Sequence, residues 1–599
     1  MKRWACAAAL ALVLVPLAAA ATGPTTALTG GKGTVEQPFT PSTGAARLTE
    51  HDALARFLSF PKVAQWLERY PPKPQTEATF DRATRVWTVK VWSGLAGEIA
   101  LGKVADADGR VTEAWTGPQV AWSMARGSVG SFGGTVLNAW WTWIPLSLVF
   151  FVGLVDRRRL LSWHSLDLLA LLSFGFSLWA FNGGRVFLSA SLGAVPLAYL
   201  LVRTSWIGFR GRRFNPALSW PVWLLAAVAV FLGGLRVGLN VANPHGVIDV
   251  GYAGVIGGDR ILHGRSPYGT MPVENTARSC GPADADGETR DWVQANGRCE
   301  SANPLGDTYG PTAYIAYVPA VVLLGWSGKW DSLPSAHATA IAFDLLAVLG
   351  LLLVGRRFGG LALGVALAFG WMAFPFTAYA LNSNSNDAIM PAFLVWGFWL
   401  CTSPVARGAA VALSGWTKFA TLLLAPLWLT YPDGLRRRGV IRFAAGFVVA
   451  TLAVFSVLLV EPSLGGAAHT FFDRTFAYQL GRDSPFSPWD WGQYHARGVP
   501  DLSALQTVVQ VAVLALAGVV AVLPRRKGPL ELAALSAGVL VGFELTLTHW
   551  SYLYIPWFLP FVLLALLLPR RERGRPAAVA AEPVEPSRRS ETIEGAAVR

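Results

Sequence analysis

Residues 139–159 read AWWTWIPLSLVFFVGLVDRRR. The apolar run from Ala139 to Val155 stops at Asp156-Arg157-Arg158-Arg159. This is how a membrane-crossing helix ends on the cytoplasmic side, where Lys and Arg accumulate. The same grammar recurs to residue 568, with basic runs at Arg210-Gly211-Arg212-Arg213, Arg356-Arg357, Arg436-Arg437-Arg438, Arg525-Arg526-Lys527 and Arg570-Arg571. The expected fold is an all-α polytopic membrane protein with about 12 spans. Composition agrees. Of 599 residues, 53% are hydrophobic and 15% charged, and the mean hydropathy is +0.41. A soluble chain carries about 25% charged residues, so a single water-soluble enzyme is excluded. The net charge of +13 sits in short runs between apolar stretches. That is a loop pattern, not a nucleic-acid-binding patch.

Before the first span the chain is different. Met1-Lys2-Arg3 and an apolar run to Ala21 read as a signal peptide or signal anchor over 1–22. A Gly-, Thr- and Pro-rich linker covers 23–46. A small α+β unit follows at 47–126. Thr49-Glu50-His51-Asp52 opens a helix, Arg85 to Trp92 alternates as a strand, and further strands are expected over about 98–104 and 111–115. With no strict motif, this unit resembles PepSY-type extracytoplasmic domains.

The charge rule then orients the chain. Three accessory spans occupy 139–203, and a core of spans occupies 219–568. Loops 240–311 and 461–504 fall outside, and the tail at 569–599 reads as disordered in the cytoplasm. Cys280 and Cys299, both in the first outer loop, are placed to form a disulfide. Two segments depart from plain spans. The apolar stretch at about 310–326 breaks the charge rule if it crosses, so it reads as re-entrant or interfacial. Gly408 to Tyr431 is too short for two spans, yet arginines flank it on one side, so two short helices are expected to meet near Gly415-Trp416-Thr417-Lys418. Lys418 then either snorkels or meets an anion.

No P-loop, dinucleotide glycine fingerprint, zinc-ligand spacing or nucleophile elbow appears. The candidate chemistry lies in the outer loops. Asp249, Tyr252 and Ile256 share one helical face just after a span. A carboxylate there either abstracts a hydroxyl proton or caps an interfacial helix. Asp259, ten residues on, is a reserve acid. His549, beside Trp550 and Tyr552, either touches a ligand or is structural. No motif calls for a cofactor; a divalent cation is left open, and no metal ligands are assigned.

Asp249, Tyr252, Gly264, Pro267 and Tyr268, then Tyr309-Gly310-Pro311, Asn384 to Asp387, Lys418 to Pro426 and Arg482-Asp483-Ser484-Pro485-Phe486-Ser487 follow in an order that resembles GT-C class glycosyltransferases. The match is to the polyprenyl-phosphate-mannose-dependent mannosyltransferase family and covers about 219–568. The accessory spans, the N-terminal unit and the insertion at about 270–305 depart from it. The resemblance implies transfer of a sugar, with inversion, from a polyprenyl-phosphate donor to a cell-envelope glycan, lipid or protein on the outer face of the plasma membrane. Asp249 would be the general base. Lys418 and Arg482, then Arg474 and Arg260, would receive the leaving phosphate, although the loop arginines also fit a solvated face. Tyr252, Asp259, Tyr268, Tyr309, Asn386, Asp387 and His549 would line the substrates. Two other classes compete: a transporter or flippase for a lipid-linked glycan, which needs an internal repeat not evident in the sequence, and a non-catalytic envelope scaffold.

Overall fold

The computed structural model describes residues 45–127, 132–212, 214–269, 306–328, 333–481, 484 and 486–570, with the backbone of three short strands within 279–301. The signal segment, nearly all of the linker and the tail beyond 570 lie outside the described residues.

The N-terminal unit is two helices on one antiparallel sheet. Helix α1 (Glu50–Leu58) starts from a capping box. The Thr49 hydroxyl accepts the Asp52 N–H at 3.1 Å, and the Asp52 carboxylate accepts the Thr49 N–H at 3.3 Å. Helix α2 (Pro61–Leu67) begins on a proline. Strands β1 (Gln75–Asp81), β2 (Val86–Trp92), β3 (Glu98–Ala105) and β4 (Val111–Thr116) pair in sequential order. Alternation along β2 sends Trp87, Val89 and Val91 into a core with Phe57 and Val63 from the helices. Strand β1 is one more than the sequence suggested. It is a largely exposed edge strand, so the alternating apolar signal is weak there. Buried Asp106 staples the unit, accepting the Arg47 and Leu48 N–H groups at 2.7 and 2.9 Å and the Arg85 guanidinium at 2.5 Å. Burial acts to raise the Asp106 carboxyl, but these donors hold it below the usual carboxylate range.

The remainder is a multi-pass helical bundle. Its helices are α3 (Trp140–Leu154), α4 (Trp163–Asn182), α5 (Val186–Arg210), α6 (Val222–Val241), α7 (Asp249–Leu262), α8 (Pro311–Ile315), α9 (Val318–Leu324) and α10 (Pro334–Gly359). They continue as α11 (Leu361–Ala373), α12 (Pro375–Asn382), α13 (Ile389–Trp399), α14 (Pro404–Gly415), α15 (Ala425–Leu429), α16 (Arg437–Phe455), α17 (Leu464–Phe472), α18 (Ser503–Val522), α19 (Pro529–Thr546) and α20 (Ile555–Leu567). Strands β5 (Ser279–Ala283), β6 (Thr289–Val293) and β7 (Cys299–Ser301) form a second small sheet within the loop after α7.

Among the described residues, seven helices are long and apolar enough to cross a membrane, and α11 with α12, bent by 58° at Phe374-Pro375, makes an eighth. The expected dozen is not confirmed. Helices α3, α13, α14 and α20 have only 15, 11, 12 and 13 residues. At 1.5 Å per residue an 11-residue helix reaches about 17 Å, against about 30 Å of hydrocarbon. Apolar composition alone does not reveal where proline and glycine cut a run into short helices.

Both segments expected to depart from plain spans form short helices. In the first, α8 and α9 have 5 and 7 residues, and the Ser335 hydroxyl, at the start of α10, donates to the Ala320 and Gly325 carbonyls. Helix α14 starts on a Ser403 cap and Pro404 and stops at Gly415, and the chain returns through a 3₁₀ turn (Phe419–Leu424) and α15. The bundle thus has two ends. At one, arginines satisfy helix C-terminal carbonyls: Arg407 donates to Trp428 and Tyr431, Arg212 to Leu566 and Leu568, and Arg357 to Trp399. The other end carries α7, α8, the Lys418 turn and the N-terminal unit.

The accessory helices are built into the core. The Tyr552 hydroxyl, just before α20, meets Ser177 of α4 at 2.8 Å and Ser189 of α5 at 2.6 Å.

Candidate active site

Lys418 is the residue around which the domain-bearing end is organised. It follows the break after α14, and only 6% of it is exposed. Its ammonium lies 3.3 Å from Asp387 Oδ1. It also lies 4.1 Å from the centre of the Tyr309 ring, 5.5 Å from that of Trp557 and 5.8 Å from that of Tyr554. Asp387 Oδ1 accepts the Trp557 indole N–H at 2.9 Å. The lysine therefore does not snorkel away. The turn is held by Gly310, where a Cβ would fall on the Trp416 carbonyl oxygen, and that carbonyl accepts the Thr312 N–H at 3.1 Å.

Asp387 comes from a segment expected to be an outer loop. Within it, Ser383, Asn384, Ser385, Asn386 and Asp387 are all buried. Asn384 and Asp387 find partners within the bundle. Asn384 takes a left-handed conformation (φ 51°), and its side chain accepts from Asn240 at 2.8 Å and donates to the Gly246 carbonyl at 3.1 Å. Asn240 also meets the His337 imidazole at 2.8 Å. The Ser383 carbonyl accepts the Ile248 N–H, one residue before α7. The loop therefore fixes both Asp387 and the entry to Asp249.

Asp249 is the first residue of α7, and Ile248 occupies the cap position. The aspartate is half-buried and accepts the Val250 N–H at 2.8 Å. A carboxylate in the first turn also suits the helix dipole. Gly251 packs on the Asn384 carbonyl, and Gly254 and Gly257 admit the rings of Tyr317 and Tyr314 without a Cβ between. Tyr252 is buried in this packing, edge-on to Trp326 at 6.2 Å. Asp259 is ten residues further along α7, about 15 Å from Asp249, and its carboxylate lies 3.4 Å from the His263 imidazole. Arg260 donates to the Ser266 carbonyl at 2.8 Å.

A second acid was missed. Asp307 is fully buried, accepting the Gly269 N–H at 2.7 Å and the Arg474 Nε–H at 2.9 Å. Arg474, expected at the leaving phosphate, is thus engaged with a carboxylate. Tyr268 is buried and donates to the Tyr309 carbonyl at 2.9 Å. The only sequence signal for Asp307 was an isolated acid two residues before Tyr309-Gly310-Pro311. Asp307 Oδ1 and Asn386 Oδ1 are buried acceptors with no hydrogen-bond partner among the described residues.

His549 lies after α19. Its Nδ1 is 2.9 Å from the Ser484 hydroxyl, and Phe486 and Trp122 flank it at 5.6 and 6.5 Å between ring centres. Arg482 and Asp483 lie outside the described residues, as do the side chains of Cys280 and Cys299. Among the described residues, no three of His, Cys, Asp and Glu gather as a metal-ligand set.

The model of Glycosyltransferase family 87 matches residues 308–549. The match indicates a membrane glycosyltransferase. It covers less than half of the chain and includes Tyr309, Asn386, Asp387, Lys418, Arg474 and His549, while Asp249, Asp307 and the N-terminal unit precede it. No curated protein and no solved structure matches the chain.

Proposed function

We propose that the chain transfers a sugar, mannose in the first instance, from a polyprenyl-phosphate donor to a cell-envelope glycan, lipid or protein, on the extracytoplasmic face of the plasma membrane and with inversion. The observation that carries this reading is the enclosed Lys418, held by Asp387 under three aromatic rings at a helix break. An ammonium fixed in a low-dielectric site stabilises charge that develops on a leaving group more strongly than one in water. Aromatic rings offer faces on which sugars stack. The arginine-rich end at the opposite pole supports the sidedness.

In this mechanism Asp249 removes the proton from an acceptor hydroxyl. The acceptor oxygen attacks the anomeric carbon from the face opposite the phosphate. The bond from that carbon to the phosphate oxygen breaks, and polyprenyl phosphate departs with its new charge facing Lys418. Each electron pair is accounted for without a metal step. The buried acceptors Asp307 Oδ1 and Asn386 Oδ1 are suited to hydroxyl donors on a sugar, and His549 contacts the donor or the acceptor. Shared support for Asp249 and Lys418 comes from the 383–387 segment, which packs under α7 and supplies Asp387.

The test is a membrane-fraction assay with radiolabelled polyprenyl-phosphate mannose. Wild type is expected to move label into an endogenous acceptor and Asp249→Asn is not. Equal transfer by both removes Asp249 from the role of base; transfer by neither rejects this donor.

A further inference from the structure

The N-terminal unit lies wholly outside the family-matched segment, yet its contacts run into it. The Tyr70 hydroxyl donates to the Tyr494 carbonyl at 2.9 Å. Arg69 donates through its guanidinium to the Arg497 carbonyl at 3.1 Å and accepts the Arg497 N–H at 2.9 Å. Phe187, at the start of α5, packs between Trp66 of the unit and Trp491 and Tyr494 of the loop, with ring centres 6.1, 5.0 and 5.7 Å away. Segment 488–497 is therefore gripped along its length by backbone-directed bonds and one aromatic stack.

That segment leads to His549. Asp490 accepts the Ser484 N–H at 2.7 Å, and the Ser484 hydroxyl is 2.9 Å from His549 Nδ1. A second arm comes from the strand-to-membrane connection. Trp122 meets the edge of Phe486 at 5.8 Å and tilts over His549 at 6.5 Å. A hydrogen bond to one imidazole nitrogen sets the tautomer and direction of the other. Both arms thus act on the orientation of one ring.

We propose that the N-terminal unit is a positioning element of the transfer reaction: through Arg69, Tyr70 and Trp122 it holds Ser484 and the His549 imidazole in the orientation that engages the lipid-linked donor. The proposal rests on the substrate contact assigned to His549 above and takes that substrate to be the donor. Arg69, Tyr70 and Trp122 themselves touch neither substrate.

The experiment uses the full chain in detergent. Diethyl pyrocarbonate modification of His549, followed by peptide mass spectrometry, reads the ring's surroundings without needing transfer. Donor-dependent kinetics with polyprenyl-phosphate mannose read the consequence. The Arg69→Ala/Tyr70→Phe double variant and Trp122→Ala are expected to modify His549 faster than wild type and to raise the donor KM about tenfold with kcat within about twofold. Trp122→Phe, which keeps a ring, is expected to restore both and carries the test should the double variant not fold. Unchanged modification overturns the proposal. So does faster modification with an unmoved donor KM. A wild type that transfers no mannose rejects the donor reading instead, while the modification rates still decide whether the unit governs His549.

Discussion

Replacing Lys418 by methionine and Asp387 by asparagine, singly and together, separates structural from chemical roles at the heart of the site. The two charges are 3.3 Å apart, with 6% and 1% of their side chains exposed. At an effective dielectric constant of about 20, their gross attraction is about 5 kcal/mol. Desolvation cancels much of that, so the pair as a whole adds little net stability. Breaking it is another matter. Lys418→Met leaves the Asp387 carboxylate enclosed with the Trp557 N–H, and Asp387→Asn leaves the ammonium without its acid. Each single change is expected to cost about 3–5 kcal/mol of stability. The double variant removes both charges and is expected to recover most of that loss. Activity follows a different rule. A cation facing developing charge is worth about 10²–10³ in rate, so Lys418→Met and the double variant are both expected to lose at least about a hundredfold in transfer. Thermal unfolding in detergent and radiolabelled mannose transfer read the two quantities. A double variant with wild-type stability and wild-type transfer would refute the assignment of Lys418 to the leaving phosphate.

Three further outcomes follow from local physics. Burial raises the Glu98 carboxyl from its ordinary value of 4.5 to about 7; the folded unit then keeps a proton that the unfolded chain releases, so its stability falls as pH rises from about 4.5 to 7 and levels off above. Glu98→Gln is expected to abolish that slope in melting curves of the full chain. Gly310→Ala forces a methyl onto the Trp416 carbonyl, and the overpacking is expected to cost about 1–3 kcal/mol and to depress transfer, because the displaced turn carries Lys418. Tyr552→Phe removes the hydroxyl shared with Ser177 and Ser189; a stability loss of about 1–3 kcal/mol in thermal unfolding is expected, with the donor KM less affected than by Lys418→Met.

The sequence made legible those features that charge and length jointly constrain. The broken pair at 408–431 was readable because arginines flanked a run too short to cross twice. The 310–326 stretch stood out because crossing would put Arg356 and Arg357 on the wrong side, and it folds as two short helices. Helix lengths were not readable, since an apolar run looks alike whether or not proline interrupts its hydrogen bonds. Asn384 to Asp387 read as the outer joint between two spans, and that reading does not fix their burial. Asn384 is buried against Asn240 and Gly246, both distant in sequence, and Asn240 in turn meets His337. The pairing of Asp307 with Arg474 spans 167 residues and that of Tyr70 with Tyr494 spans 424. No local pattern announces either.

The most direct measurement is a structure of the full chain with bound polyprenyl-phosphate mannose. The account requires the phosphate within about 4 Å of the Lys418 ammonium, with the sugar turned toward Asp249. A phosphate seated at the arginine-rich end of the bundle, with Lys418 still closed on Asp387 and no ligand beside it, would contradict it.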